Sequence, residues 1–327
     1  MAIVVITSEV ILDAQGPHLE MLRNAGMEVR YPSRRGLTGE AETIEAVRGA
    51  AATIAGSEPY TERVLASLPE LRVISRSGVG VDRIDLNAVT RRQVAVAITP
   101  RGNHEAVAEH AMALLLALSR SLLRQHQEVR GGIWNRTALM PLRGRTLGLI
   151  GMGRIGKSVA LRASQFRLRL IAYDPFPDEA FARSHGVELV DLDTLLAQAD
   201  YVTLHLPLTP ATKGLINRKT LSRMKPGSLL VNTSRGGLVV EEDLLSALQS
   251  GHLAGAGLDV FNQEPPSSNN PLLQLENVLV TPHVAGVDDQ SCADMAAQAA
   301  QNIIDLYHGH WPEDSIVNPA IRPGWHW

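Results

Sequence analysis

Residues 145–156 read Arg-Thr-Leu-Gly-Leu-Ile-Gly-Met-Gly-Arg-Ile-Gly. An apolar run of strand length leads into Gly151, Gly153 and Gly156, spaced G-x-G-x-x-G, and a helical pattern follows. In such a strand–turn–helix the first glycine permits the tight turn, the second lets a pyrophosphate approach the backbone, and the third lets the helix pack close to the strand. The helix N-terminus offers unpaired N–H groups to the phosphates. The stretch predicts a dinucleotide-binding site, and an ordinary glycine turn is the alternative.

An acidic residue after the next apolar run supports this prediction. Asp174 follows the run 168–173 and is expected to accept hydrogen bonds from an adenosine ribose. Its carboxylate would repel a 2′-phosphate, and the following Pro175-Phe176-Pro177 supplies no cation to hold one. We therefore predict NAD rather than NADP as the cofactor.

The composition limits the class of protein. At ~150 residues per domain, the 327 residues fit two domains. The net charge of −3 gives no sign of a nucleic-acid surface, and the single Cys292 fits a reducing compartment. The start has no basic signal-peptide region, and no stretch approaches the ~18 consecutive apolar residues of a membrane span. We expect a cytoplasmic protein that binds neither nucleic acid nor a membrane.

Short apolar runs alternate with helical patterns, which predicts an α/β protein with parallel sheets. Predicted strands are 3–6, 27–31, 52–55, 71–75 and 94–97, then 146–150, 168–173, 187–190, 201–205, 228–232, 255–258 and 278–281. Helices are predicted at 18–24, 40–48, 62–67 and 86–91, the last capped by Asp85.

Three further segments are expected to organise the domains. Residues 103–130 predict one long helix, apolar on nearly every face from 106 to 118, which has to be buried between domains and against a partner subunit. A helix at 288–306 would return the chain to the first domain and make that domain discontinuous. Residues 316–327 are expected to form an extended tail packed on the first domain.

Three ionisable residues follow the last strands of the second α/β region: Arg235, Glu264 and His283. Because the carboxyl ends of parallel strands share one edge, these side chains can converge on a ligand bound there. An imidazole can accept or donate the proton of a secondary alcohol near neutral pH. A carboxylate behind the ring favours its protonated form, and a guanidinium binds a carboxylate or polarises a ketone. The set predicts hydride-transfer chemistry, whereas each residue taken alone could be structural.

A loop after the fourth strand, Ser77-Gly78-Val79-Gly80, is a second candidate site. Its glycines can present consecutive N–H groups to an anion, as backbone nests do. The alternative is a tight strand–helix turn. Two other kinds of site are excluded. A single cysteine does not suit a zinc centre, and the sequence lacks the G-x-S-x-G motif that would indicate a serine hydrolase.

Taken together, the motifs resemble the D-isomer-specific 2-hydroxyacid dehydrogenases, in particular short members similar to phosphoglycerate dehydrogenase or hydroxypyruvate reductase. The resemblance covers nearly the whole chain and is carried by residues 151–156, 173–175, 205–209, 224–227, 232–237, 257–261, 264–266 and 281–286. It implies two doubly wound parallel-sheet domains, a Rossmann NAD-binding domain (100–286) inserted into a flavodoxin-like substrate domain (1–99 plus 287–327). It also implies a homodimer built on the NAD-binding domains.

The resemblance further implies roles for individual residues. Arg235 would orient the substrate, His283 would be the proton donor and acceptor with Glu264 as its partner, and the Ser77–Gly80 loop would hold the substrate carboxylate. The remaining cofactor contacts would come from Arg154, Ile155, Leu206, Pro207, Thr233, Ser234, Asp259 and Gly286.

The substrate stays open. Long phosphoglycerate dehydrogenases carry a C-terminal regulatory domain, for which this chain is expected to be too short. They often place a phosphate-binding arginine after the third strand, whereas residues 54–59 contain none, and Arg76 or Arg101 could substitute. Phosphoglycerate, hydroxypyruvate and glyoxylate are all compatible. The alternatives are an NAD(H)-sensing scaffold similar to the C-terminal-binding-protein co-repressors and, less favoured, formate oxidation.

Overall fold

The computed structural model describes residues 1–12 and 15–327. It divides into two compact units: unit 1 comprises Met1–Asn103 and Val287–Trp327, and unit 2 comprises His104–Gly286. The chain therefore leaves unit 1 once and returns to it after completing unit 2.

The strands, in chain order, are β1 (Ile3–Ile6), β2 (Glu28–Arg30), β3 (Ala52–Ala55), β4 (Val73–Arg76), β5 (Ala95–Ala97), β6 (Thr146–Ile150), β7 (Arg169–Tyr173), β8 (Val187–Leu189), β9 (Tyr201–Leu204), β10 (Ser228–Asn232), β11 (Leu253–Leu258) and β12 (Val278–Val280). The α-helices are α1 (Pro17–Asn24), α2 (Glu40–Val47), α3 (Glu62–Ala66), α4 (Leu86–Arg91), α5 (His104–Ser119), α6 (Leu122–Arg130), α7 (Arg154–Gln165), α8 (Glu179–His185), α9 (Leu192–Gln198), α10 (Arg218–Leu221), α11 (Glu241–Gln249) and α12 (Asp289–Tyr307).

Unit 1 is built on a parallel sheet of order β2-β1-β3-β4-β5, the flavodoxin-like order. Apolar side chains on one face pack against α1 and α12, and those on the other face pack against α2, α3 and α4. The Asp85 carboxylate caps α4 by accepting a hydrogen bond from the Ala88 N–H at 2.9 Å, as predicted.

Unit 2 is built on a parallel sheet of order β12-β11-β10-β9-β6-β7-β8. The order reverses between β9 and β6, as in the Rossmann fold, and ligands of such sheets bind beyond the carboxyl ends of the strands at this point. One face is covered by α5, α7 and α8 and the other by α9, α10 and α11.

The predicted fold class, two parallel-sheet α/β domains, is confirmed. Every strand predicted from an apolar run is present, with ends shifted by two residues at most. Short apolar runs bounded by turn residues are sufficient for the strands that are buried on both faces of their sheet; these strands are β3, β5, β6, β9 and β10.

The prediction of one unbroken helix over 103–130 is wrong. The chain bends by 54° between α5 and α6, at Ser121, whose φ of +46° is left-handed. The Ser119 hydroxyl donates to the Leu116 carbonyl at 3.2 Å, a local side-chain bond that competes with the helical ladder. α5 supplies the buried residues, whereas α6 buries none.

The C-terminal segment is only partly extended, contrary to the prediction. Ile316 bridges to Ala97 at the edge of the unit 1 sheet, and the Asn318 side chain bonds the backbone of Val94 and Val96. A 3-10 helix then forms at Pro319–Gly324.

No single helix among the described residues is long and apolar enough to cross a bilayer, and the bent pair α5–α6 meets that criterion only when both are counted together.

Candidate active site

The three glycines after β6 occupy different environments. Gly151 has a φ of +99°, and a Cβ there would lie 2.6 Å from the His205 carbonyl carbon. A Cβ on Gly156 would lie 2.2 Å from the Gly151 carbonyl oxygen, so this glycine allows α7 to approach the loop. A Cβ on Gly153 would have no described atom within 4 Å. Gly153 thus borders open space at the N-terminus of α7, where Arg154 and Ile155 form the first turn.

Asp174 follows β7 and is tied to the glycine loop. Its Oδ2 accepts a hydrogen bond from the Met152 N–H at 2.7 Å, and its Oδ1 accepts from the Phe176 N–H at 2.8 Å. A carboxylate has about four acceptor sites, so Asp174 keeps capacity for two ribose hydroxyls. The ring of Phe176 beside it is 92% exposed.

Predicted cofactor residues also meet at the ends of β9 and β10. The Ser234 hydroxyl donates to the Leu206 carbonyl, which joins the two loops, and Pro207 is exposed next to it. The Thr233 hydroxyl is buried and has no hydrogen-bond partner among the described residues. A buried orphan hydroxyl, open space at Gly153 and a helix N-terminus are the features that a bound dinucleotide would satisfy.

His205 borders the same loop. Burial lowers the pKa of His205 to about 3, so its ring is neutral at physiological pH. Its Nε2 bonds the Thr203 hydroxyl at 3.0 Å, and its Nδ1 is enclosed.

Arg235 lies in a turn shaped by a residue that sequence reasoning did not single out. The Asn232 side chain accepts from the Ser234 N–H at 3.0 Å and donates to the Arg235 carbonyl at 2.9 Å. The adjacent Gly236 touches the loop that carries Glu264, since a Cβ there would lie 2.0 Å from the Phe261 carbonyl carbon. An asparagine at a strand end is a common turn former and was the available signal.

Glu264 and His283 are joined by a hydrogen bond. The distance from Glu264 Oε2 to His283 Nδ1 is 2.7 Å, and Glu264 Oε1 accepts from the Phe261 N–H at 3.0 Å. Burial raises the pKa of the Glu264 carboxyl, but the hydrogen bond and charge of His283, the Phe261 N–H and the charge of Arg235 together lower it below its usual value. Glu264 is therefore ionised at neutral pH.

Asp259 holds the segment that presents His283. Its fully buried carboxylate accepts from the Thr281 hydroxyl at 2.6 Å and from the N–H groups of Val284 and Ala285 at 2.9 Å. The backbone N–H of His283 donates to the Asp259 carbonyl at 2.9 Å, and His283 itself is left-handed at φ +54°. Asp259 was predicted as a cofactor contact, and the structure uses both its oxygens to shape this loop.

One further residue, on α5, belongs to this network and was missed from the sequence. His110 on α5 bonds the Thr281 hydroxyl at 3.0 Å through its Nε2. Nothing local in the sequence links residues 110 and 281, because the contact depends on how α5 packs. Gly286, another predicted cofactor residue, ends unit 2 just beyond this segment.

The arrangement suits proton transfer. With Nδ1 bound to Glu264, the orientation of the ring is set, and Nε2 is the nitrogen that can act on a substrate. About half of the His283 side chain is exposed, so a small molecule can reach it. Arg235, a permanent cation, acts on the same carboxylate.

The loop Ser77–Gly80 lies in unit 1, at the carboxyl end of β4. The Ser77 N–H donates to the Ala55 carbonyl at 2.9 Å, and the Gly78 N–H donates to the Thr99 hydroxyl at 2.7 Å. The N–H groups of Val79 and Gly80 bond no described residue. Only the second half of the predicted anion site therefore offers N–H donors.

Comparison with known proteins agrees with this geometry. Residues 112–285 match the family model of the D-isomer specific 2-hydroxyacid dehydrogenase NAD-binding domain. The chain is 38% identical over 307 residues to a D-3-phosphoglycerate dehydrogenase of Archaeoglobus fulgidus, covering 93% of this chain and 58% of that protein. It is 40% identical over 273 residues to a glyoxylate reductase of Korarchaeum cryptofilum, covering 81% of this chain and 82% of that protein. The chain thus spans less than two thirds of the phosphoglycerate dehydrogenases that it matches.

Solved structures show the same architecture. A Thermus thermophilus protein superposes with a TM-score of 0.86 at 37% identity, covering 96% of this chain and 100% of that one. The D-lactate dehydrogenase of Aquifex aeolicus, complexed with NAD and lactic acid, superposes with a TM-score of 0.84 at 27% identity, covering 97% and 99%. The chain belongs to the D-isomer specific 2-hydroxyacid dehydrogenase family.

Proposed function

We propose that the protein is an NAD-dependent dehydrogenase that interconverts a small D-2-hydroxyacid and its 2-oxoacid. The observation that carries the proposal is the 2.7 Å pair of Glu264 and His283, in the unit that also holds Arg235 and the glycine loop. Bound NAD supplies the hydride acceptor and NADH the hydride donor. The chain binds the cofactor through the α7 N-terminus, Asp174 and the β9–β10 loops.

His283 handles the proton. In reduction its Nε2 donates a proton to the 2-oxo oxygen, and in oxidation it takes the proton of the hydroxyl. Glu264 stabilises the charged ring through Nδ1, and Arg235 orients the substrate with its planar fork of donors. In unit 1, the N–H groups of Val79 and Gly80, which bond no described residue, are proposed as donors to a carboxylate.

The relatives support more than one substrate. Their names include D-3-phosphoglycerate dehydrogenase and glyoxylate reductase, and hydroxypyruvate has the same reacting group. Reduction of a panel of 2-oxoacids, followed by NADH absorbance, tests the activity. Turnover of any member supports the proposal. Tight NADH binding without turnover of any member would contradict it and favour the scaffold role.

We also propose a homodimer formed through unit 2. The support is a run of exposed apolar side chains on α6 and the segment after it: Leu122, Leu123, Val129, Ile133 and Trp134. Large exposed apolar clusters are typical of interaction surfaces. Sedimentation of the wild-type chain and of Trp134→Glu tests this: the proposal expects a dimer weakened by the charge, and a monomeric wild-type chain would refute it.

A further inference from the structure

We propose that His110, on α5, is a positioning residue for His283. Its Nε2 donates a hydrogen bond to Thr281 and thereby fixes the segment 281–285, which carries His283. The inference rests on the proposed function and deepens it, because it takes His283 as the residue that handles the proton. All the residues concerned lie in unit 2.

The position of His283 depends on hydrogen bonds more than on packing. About half of its side chain is exposed, so the hydrophobic core does not enclose the ring. Its backbone is left-handed at φ +54°, a conformation that costs free energy for a residue with a Cβ. A residue keeps such a conformation only where the surrounding structure holds it. The residues on either side of His283 are therefore expected to decide where the ring lies.

Asp259 holds both sides of His283. Its carboxylate accepts a hydrogen bond from the Thr281 hydroxyl at 2.6 Å on one side and from the N–H groups of residues 284–285 at 2.9 Å on the other. The carboxylate is fully buried, so water does not compete for these bonds. Because Asp259 lies one residue past the end of β11, the segment is attached to the sheet through this side chain.

The Thr281 hydroxyl connects the same segment to α5. It has a single hydrogen, which it donates to Asp259, and its oxygen can still accept. His110 Nε2 lies 3.0 Å from this oxygen and therefore carries a proton and donates it. The same nitrogen is 3.8 Å from Asp259 Oδ1, so its N–H also faces the charge of the carboxylate. His110 thus attaches the segment to a second element of unit 2.

Two glycines of β11 allow α5 to come this close. A Cβ on Gly257 would lie 3.1 Å from the Leu114 Cβ, and a Cβ on Gly255 would lie 3.4 Å from the Leu118 Cδ2. Both distances are shorter than the optimal separation of about 3.5 to 4.0 Å between carbon atoms. Side chains in place of these glycines would push the helix away from the strand.

The register of this packing places His110 beside Asp259. Four residues of an α-helix advance about 6.0 Å, and two residues of a parallel strand advance about 6.6 Å. The helix and the strand therefore stay in step beyond the contact of Leu114 with Gly257. One further step along each element leads to His110 on the helix and to Asp259 at the end of the strand.

Removal of the donor should displace His283 while the segment stays folded. The bonds to Asp259 remain, but Thr281 loses its contact with α5. A hydrogen bond of this kind is worth up to about a factor of ten in an equilibrium, and a misplacement of a reacting group by about 1 Å can cost about 10²-fold in rate. We therefore expect kcat to fall by about tenfold.

The test compares three replacements of His110 in the reduction of a 2-oxoacid at saturating NADH. The amide nitrogen of His110→Gln stands near the place of Nε2 and can donate to Thr281, so this variant should keep at least about a third of kcat. The amide of His110→Asn is too short to reach Thr281, and His110→Leu has no donor, so both should lose about tenfold in kcat. The Kd for NADH should stay within about twofold of the wild-type value in all three.

His252→Leu is the matched control. His252 is also half-buried in unit 2, and its Nε2 bonds the Leu221 carbonyl at 3.0 Å. It precedes β11, whereas Asp259 follows β11, so the two histidine contacts lie at opposite ends of this strand. A purely structural role predicts that His110→Leu, like His252→Leu, lowers the unfolding temperature and leaves kcat unchanged well below it. The proposal expects the loss of kcat in His110→Leu alone.

A double variant tests the route through Thr281. If His110 acts through this hydroxyl, His110→Leu combined with Thr281→Val should lose no more kcat than Thr281→Val alone. Losses that multiply would overturn the proposal, and so would an unchanged kcat in folded His110→Leu. Equal losses in His110→Gln and His110→Asn would also overturn it, and this comparison decides if His110→Leu does not fold. A wild-type chain that reduces no 2-oxoacid would instead refute the proposed function, and this inference with it.

Discussion

Replacing Glu264 with glutamine isolates the charge behind His283. The amide keeps the size of the side chain and can still accept a hydrogen bond at the 2.7 Å contact with Nδ1, but it carries no charge. In the reductive direction the ring has to be protonated. The variant is therefore expected to lose reductase activity at a lower pH than the wild type.

The size of the shift follows from the pair's geometry. Two unit charges about 4 Å apart interact by roughly 4 kcal/mol at an effective dielectric constant of about 20. The side chains of His283 and Glu264 are 48% and 37% exposed, so solvent screens much of this energy. After this screening we take the interaction energy as about 1.4 kcal/mol, which corresponds to a shift of the pH–activity profile by about one unit. The lowered pKa of Glu264 keeps its carboxylate ionised in the wild type well below neutral pH.

The assay is the pH dependence of kcat for 2-oxoacid reduction from about pH 5 to 9, with saturating NADH, a range that spans the ordinary titration of a histidine side chain. The half-maximal pH of Glu264→Gln should lie about one unit below that of the wild type. Glu276→Gln, an exposed acid before β12, serves as the control and should match the wild type. Coincident profiles for Glu264→Gln and wild type would show that the carboxylate does not act on the reacting proton.

Three further perturbations test other parts of the site. Gly236→Ala places a Cβ 2.0 Å from the Phe261 carbonyl carbon, so kcat should fall at least about tenfold. In the control Gly237→Ala the nearest atoms belong to a leucine side chain, which can move, so kcat should fall much less. Equal losses of kcat in NADH-oxidation assays would contradict this. Asp174→Ala should raise the KM for NADH about tenfold with little change in kcat, because two ribose hydrogen bonds are lost; an unchanged KM would refute the ribose role. The pKa of His205 is about 3 in the folded protein and about 6.5 in the unfolded chain, so between these values only the unfolded chain binds a proton. The free energy of unfolding should therefore fall by up to about 1.4 kcal/mol per pH unit as the pH is lowered from about 6.5 towards 3. His205→Gln should flatten that slope in urea titrations, and an unchanged slope would contradict the assignment.

The sheets could be predicted from the sequence because their signal is local. Most strands are short apolar runs close to glycine, proline or polar residues, and this local pattern does not depend on how the strands pack. The break at Ser121 could not be predicted, since serine tolerates a helix interior and the left-handed turn becomes visible only once α5 is packed.

The candidate site was partly predictable for a related reason. Arg235, Glu264 and His283 follow strands whose carboxyl ends share an edge, so their convergence follows from the topology. The residues that hold them in place are not evident from the sequence. Asp259 forms hydrogen bonds with the segment 281–285, which lies 22 to 26 residues later in the chain. This contact depends on the register of β11 and β12.

The Ser77–Gly80 loop shows the same limit. Its sequence offers several N–H groups, and the two that are already used have partners on β3 and at Thr99. The sequence does not show which N–H groups can bind a ligand and which form hydrogen bonds within the fold. The three-dimensional structure distinguishes them.

The role of His283 as proton donor is tested most directly by His283→Ala, measured for turnover and for NADH binding in parallel. The loss of a general acid typically costs about 10² to 10⁴ in rate, so kcat for 2-oxoacid reduction should fall by at least about 100-fold. The dissociation constant for NADH, from fluorescence titration, should stay within about twofold because no cofactor-binding group is removed. Turnover equal to that of the wild type would contradict the assignment of the proton to His283.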